Sequence, residues 1–170
     1  ESAKIAVEAA MSGHLVLSTL HTPSSLEVIP RLRDLGIEKS LISSGLVGAM
    51  TQKLVRKICS HCIEDHLIDD EEKKLIEKYY DPTKIPSTLN KGKGCAHCNY
   101  SGYLGRVPVF EGWSSSKEMK DLISDETHLS QIKVSLEKNA NFHDLTYNAM
   151  KLVTLGQTTL EEIKRVLGLI

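Results

Sequence analysis

Gly13-His14-Leu15-Val16-Leu17-Ser18-Thr19-Leu20-His21-Thr22 is the stretch on which the fold turns. Its centre, Leu15 to Leu20, is short and nearly continuous in apolar character, which suits a strand buried on both faces of a parallel sheet. Upstream, Ala3, Ala6, Val7 and Ala10 share one helical face and Gly13 is a natural stop, so a packed helix is expected over residues 3–12. Downstream, Thr22 before Pro23 is biased to extended geometry, and Ser24 with Glu27 three residues later reads as a capping box. That second helix is expected to end at Gly36. Pro30 falls near its second turn, where it would remove a hydrogen bond and bend the helix. A buried strand between two helices gives α/β architecture.

Residues 38–58 read as another helix followed by a short apolar segment, Lys53 to Ile58. From Cys59 to Cys98 the composition turns polar, with a solvated helix expected over 69–78 and a loop carrying Pro82, Pro86 and a Lys-Gly run. Val107 to Trp113 is strand-like. Residues 115–168 hold three or four amphipathic helices, the last opened by Thr158 with Glu161. The expected division is therefore a core over 1–58, a metal-stapled module over 59–105, and over 106–170 a strand returning to the core followed by a helical subdomain.

The chain has 170 residues, 21 of them basic and 22 acidic, for a net charge of -1. That balance leaves no basic stripe and argues against nucleic acid as a partner. No apolar run approaches the roughly 20 residues of a membrane-spanning helix, and the N-terminus lacks the basic-then-apolar pattern of a signal peptide. The chain reads as soluble and cytosolic. Because Glu1 already lies in a helical pattern and no Met precedes it, the sequence reads as a fragment.

All four cysteines fall in two C-x-x-C pairs, Cys59 with Cys62 and Cys95 with Cys98. Two residues between thiols let both sulfurs face one ion, and two such knuckles complete the tetrahedral thiolate site that zinc prefers. Disulfides are the bland alternative, but a cytosolic chain keeps its thiols reduced. Iron held by the same four thiolates is the chemical rival. Iron knuckles favour Gly after the second cysteine, and Ile63 and Asn99 stand there instead. His61 and His97 lie inside the knuckles, yet four thiolates already fill the shell, so both are expected to face solvent or make outer contacts. No position is left open for water, which makes the site structural.

His14 and His21 bracket the expected strand. At about 3.3 Å per residue, seven steps separate them by about 23 Å, too far to share a ligand. Ligands of open α/β sheets bind beyond the C-terminal strand ends, the side of His21, and geometry alone leaves His21 open between a ligand contact and a structural role. His14 is expected to be structural.

The run from Gly13 to Thr22 resembles the histidine box of the type II secretion and type IV pilus assembly ATPases. Lys53-Leu54-Val55-Arg56-Lys57-Ile58-Cys59-Ser60-His61-Cys62 resembles the approach to that family's four-cysteine motif, and Gly94 to Arg106 resembles its second half. Glu1-Ser2-Ala3 is similar to the sequence after the Walker B acidic residues, and Gly156 to Val166 to the last helix. The resemblance implies the rear part of a RecA-like parallel-sheet ATPase domain with a zinc-binding insert and a helical C-terminal part. It also implies a hexameric ring, ATP with magnesium, an inner-membrane assembly platform as partner, and a peripheral place at the cytoplasmic face of the membrane. His21 would then lie near the ATP γ-phosphate, whereas Gln52 and Arg56, in a segment near the nucleotide pocket, take no assigned role. Val107-Pro108-Val109-Phe110-Glu111-Gly112-Trp113 departs from the family, which has a longer apolar strand after the glutamate.

The phosphate-binding loop and the Walker B carboxylate would lie before Glu1, and Gly92-Lys93 lacks the flanking residues of such a loop. Arg31 and Arg33 read as exposed helix positions. The 170 residues alone are thus expected to be inactive while the parent is an ATP-driven motor. A zinc-stapled module that binds partners without catalysis is the rival reading.

Overall fold

The computed structural model describes residues 1–125, 128–138 and 142–169. Among the described residues it contains eight α-helices and four strands, in two compact units: Glu1–Thr51 with Glu111–His143, and Gln52–Phe110 with Asp144–Ile170. The class is mixed α/β.

In the first unit, α1 (Ser2–Met11) stops as the sequence predicts. Gly13, at φ +96°, lets its own N–H reach Ala10 and that of His14 reach Ala9, closing the last turn on its orphan carbonyls. The strand expected next does not form. Residues 14–22 have no regular secondary structure, and Leu15 and Leu17 are 79% and 87% exposed. An apolar run specifies a buried strand only where neighbouring strands offer it backbone partners, and none among the described residues does.

Helix α2 (Val28–Asp34) begins later than the capping box suggested. Ser24 Oγ does accept from Glu27 N–H at 3.4 Å, but it closes the preceding turn. With the start at Val28, Pro30 lies in the first turn, where N–H groups have no intrahelical partner, so it removes no helical bond. Arg31 and Arg33 are exposed, as expected. Helix α3 (Lys39–Gly45) follows, its Gly45 set against Val7 and Met11 of α1.

Strands β1 (Gly48–Ile58) and β4 (Tyr103–Ser114) pair in a two-stranded sheet. Trp113 resolves the packing of the departing segment: it is buried with Leu26, Ile29, Leu32, Ile37 and Ile42, together with residues of α5 (Lys117–Ser124) and α6 (Leu129–Glu137). Its indole N–H is buried without a hydrogen-bond partner among the described residues. The helices expected over 115–168 appear as α5, α6, α7 (Leu145–Thr154) and α8 (Leu160–Leu167), while residues 126–127 and 139–141 of that span lie outside the described residues, as does Ile170.

The second unit holds β2 (Ile63–Leu67) and β3 (Thr88–Gly92), an antiparallel pair running from Ile63 opposite Gly92 to Leu67 opposite Thr88. Between them α4 (Asp70–Glu77) opens on a capping box in which Asp69 accepts from Glu71 and Glu72 N–H and the Glu72 carboxylate answers Asp69 N–H. The helix is solvated except along one edge, where Ile76 enters a core built with Val55, Leu89, Val109, Met150 and Ile163. Helix α8 starts one residue later than predicted. Thr159, not Thr158, caps it by accepting from Glu162 N–H, because the buried Thr158 hydroxyl donates to the Arg56 carbonyl. The shift turns Glu161 outward and Glu162 into the core.

No helix among the described residues is long and apolar enough to cross a membrane.

Candidate functional site

Two knuckles 36 residues apart meet because the β2–β3 ladder folds one back on the other. Cys62 directly precedes β2, and Lys93, just after β3, donates its N–H to the Cys62 carbonyl at 2.9 Å. On the far side Cys59 N–H donates to Gly102 O at 2.9 Å, so the chain enters and leaves the module side by side. That closure needs glycine at two places: a Cβ on Gly92 would stand 2.0 Å from Gly102 O, and one on Gly102 would stand 2.5 Å from Gly92 O. Gly92 therefore serves backbone contact and not phosphate binding.

The four sulfurs lie within 4.8 Å of one another. Cys59 and Cys95 are 3.9 Å apart, Cys62 and Cys98 3.9 Å, and Cys95 and Cys98 3.8 Å. Four thiolates around one ion at about 2.3 Å each would stand about 3.8 Å apart, whereas a disulfide needs about 2 Å. The donor set thus fits a tetrahedral metal, and the thiols are not cross-linked. Backbone N–H groups supply the outer contacts: Gly94 donates to Cys62 Sγ at 3.3 Å, and Cys95 and Gly102 donate to Cys98 Sγ at 3.2 and 3.3 Å. Burial pushes the Cys62 thiol up to about 12 despite its bond from Gly94. At Cys98 burial works the same way, but the N–H donors of Cys95 and Gly102 outweigh it and hold the thiol down at about 6.

Asn99 takes φ +49°, the left-handed conformation that a glycine would occupy after the second knuckle, so its side chain is no obstacle to an iron site. Both knuckle histidines are exposed, as expected, and their rings stack on each other with centroids 4.1 Å apart.

His21 lies in the first unit and is exposed at the end of the irregular stretch. His14, expected to be a satisfied core histidine, is also exposed; directly after the α1 stop it is out of reach of the core, and its Nδ1 lies 3.0 Å from Ser12 Oγ. The loop after His21 carries a feature the sequence reading passed over. Buried Glu111 accepts from Ser25 N–H at 2.9 Å through Oε1, which also accepts from Ser25 Oγ. The signal was present in the sequence as a lone carboxylate within the apolar run from Val107 to Trp113.

Arg56 is occupied by structure. Its guanidinium meets the Glu162 carboxylate at 2.7 Å and lies 4.1 Å over the Tyr103 ring, while its N–H donates to Glu162 Oε1 at 2.9 Å. Arg165 meets the same carboxylate at 2.7 Å. Gln52 is exposed.

The profile of the family described as "Type II/IV secretion system protein" matches residues 1–165. The chain belongs to this family. Among its relatives in the family, the type II secretion system ATPase E of Vibrio cholerae is 39% identical over 98% of this chain and 32% of its own length. The type IV pilus assembly ATPase TfpB of Acinetobacter baylyi is 36% identical over 99% of this chain and 28% of its own. This member of the secretion family thus spans about a third of the relatives it matches. A crystal structure of the pilus retraction motor PilT with bound ADP shares the fold over 95% of this chain and 35% of that one, at a TM-score of 0.60 and 21% identity.

Proposed function

We propose that these residues form the C-terminal part of the motor domain of an ATP-hydrolysing protein. The parent works as a hexameric ring at the cytoplasmic face of the inner membrane, against an assembly platform, and moves pilin or pseudopilin subunits or exports protein. The observation that carries the reading is the family match over residues 1–165, together with relatives whose names are those of secretion and pilus-assembly ATPases. In this reading the groups that cradle the phosphates and hold magnesium lie before Glu1, and His21 contributes an imidazole N–H to the terminal phosphate. Zinc, held by Cys59, Cys62, Cys95 and Cys98, supplies a cross-link between the two knuckles. Four thiolates leave it no open position, so its role is structural.

The reading is tested by magnesium-dependent phosphate release from the full-length protein. His21→Ala is expected to lower turnover by about 100-fold, the range of a lost preorganised donor, while His14→Ala, an exposed substitution, leaves it unchanged. Equal, full turnover in both variants overturns the role of His21; no turnover in the unaltered protein overturns the motor.

A further inference from the structure

Burying a carboxylate is costly unless donors meet it, and an apolar side chain at the same place commonly leaves a fold as stable or more so. Glu111 is nonetheless buried in an otherwise apolar strand segment, and two donors that meet it come from one residue, Ser25, which lies 86 residues earlier and is itself fully buried. Ser25 is the anchor of a tightly tied segment. Thr22 Oγ1 donates to Ser24 O at 3.0 Å, Ser24 Oγ accepts from Glu27 N–H, and Leu26 enters the first core. On the other side of His21, Leu20 packs against that same core. His21 is therefore an exposed side chain on a backbone fixed at both flanks. Four residues reach at most about 13 Å, so the buried anchor at Ser25 limits where that imidazole can go.

We propose that Glu111 is a positioning residue: through its bonds to Ser25 it holds the His21 loop at the place where the terminal phosphate is met. The inference rests on the reading of His21 given above. Phosphoryl transfer depends on placement, and a displacement of about 1 Å in a contacting group can cost about 100-fold. One oxygen that accepts from both the backbone and the hydroxyl of Ser25 fixes that residue's place and orientation, which is what a loop anchor requires and a core does not.

The test uses the full-length protein and the variants Ser25→Ala and Glu111→Gln, alone and combined with His21→Ala. Each single variant is expected to lower kcat about ten-fold with little change in the KM for ATP, and to speed amide hydrogen exchange over residues 20–26 while leaving 88–105 unchanged. In the His21→Ala background neither substitution lowers kcat further. A full ten-fold additional loss in that background overturns the inference and leaves the role of His21 standing. Unchanged turnover in His21→Ala itself removes the underlying reading, and the inference with it. Should Glu111→Gln fail to fold, Ser25→Ala, which keeps the backbone donor, decides: unchanged kcat in it overturns the proposal.

Discussion

Glu162 keeps its charge where its side chain is fully buried, between Arg56 and Arg165, which are 43% and 60% exposed. Burial works against ionisation, but the bonds from Arg165 and Arg56 outweigh it and hold the carboxyl down at about 2, against 4.5 for the free group. A depressed carboxyl stabilises the fold fully above the higher of those values and loses that contribution as pH falls through the lower. The denaturant midpoint of the second unit is therefore expected to drop between about pH 4.5 and 2. Asp81, also held at about 2, chiefly by the Thr83 hydroxyl and then by Lys84, titrates over the same range, so the difference between the unaltered protein and Glu162→Gln isolates Glu162. That variant should lose about 1.5 kcal/mol at neutral pH, since it gives up charge-assisted hydrogen bonds while the two guanidiniums it leaves stay partly solvated, and show a flatter acid limb; an identical acid limb would count against the role assigned to Glu162. Residues of this kind explain what sequence reading reaches. The cysteines announce themselves because coordination imposes a local spacing, whereas Glu162 and Glu111 find partners 106 and 86 residues away, a relation no window along the chain contains. The off-by-one cap at Thr159 has the same cause: Arg56 decides which threonine faces inward.

Among elements, helices were legible and strands much less so. The stops at Gly13 and Gly36 and the solvated helix expected over 69–78 depend on neighbours in sequence, so local chemistry predicts them. Strands β2 and β3 were missed because Ile63-Glu64-Asp65-His66-Leu67 and Thr88-Leu89-Asn90-Lys91-Gly92 carry few strand-forming residues; the ladder and the knuckles hold them together. The opposite discrepancy lies at Leu15 to Leu20, where apolar composition predicts a strand but no strand among the described residues pairs with it. Ile76, Tyr80 and Leu89 tie the middle of the insert to the second core, so a metal is expected to decide the order of the knuckles themselves. Reduced, freshly purified protein should contain about one zinc per chain and no visible thiolate-to-iron absorption. A strong chelator should speed hydrogen exchange over residues 59–66 and 92–105 while both cores stay protected, and Cys95→Ser should abolish stoichiometric metal. Metal-free protein with unchanged protection would overturn the zinc assignment, and a coloured protein would replace zinc by iron.

For the molecule as a whole, family and class were legible from three motifs in order, and the match over residues 1–165 agrees with them. What these residues accomplish alone is a separate matter. Phosphoryl transfer rests on groups that cradle phosphates and hold magnesium, and no stretch between Glu1 and Ile170 has their pattern. In the phosphate-release assay the isolated chain is expected to give no turnover above a His21→Ala control. Turnover that depends on His21 would reveal a catalytic site within it. The side-by-side entry and exit at Cys59 and Gly102 also bears on how the chain folds. Residues 67 and 88, at the inner end of the β2–β3 ladder, are nearer in sequence than 63 and 92, and these are nearer than 59 and 102. Closing each pair shortens the loop left for the next, so the cheapest order runs outward, like a zipper fastened from its inner end. Substitutions in β2 or β3 would then slow folding, and those in the parts of β1 and β4 beyond the insert would chiefly hasten unfolding.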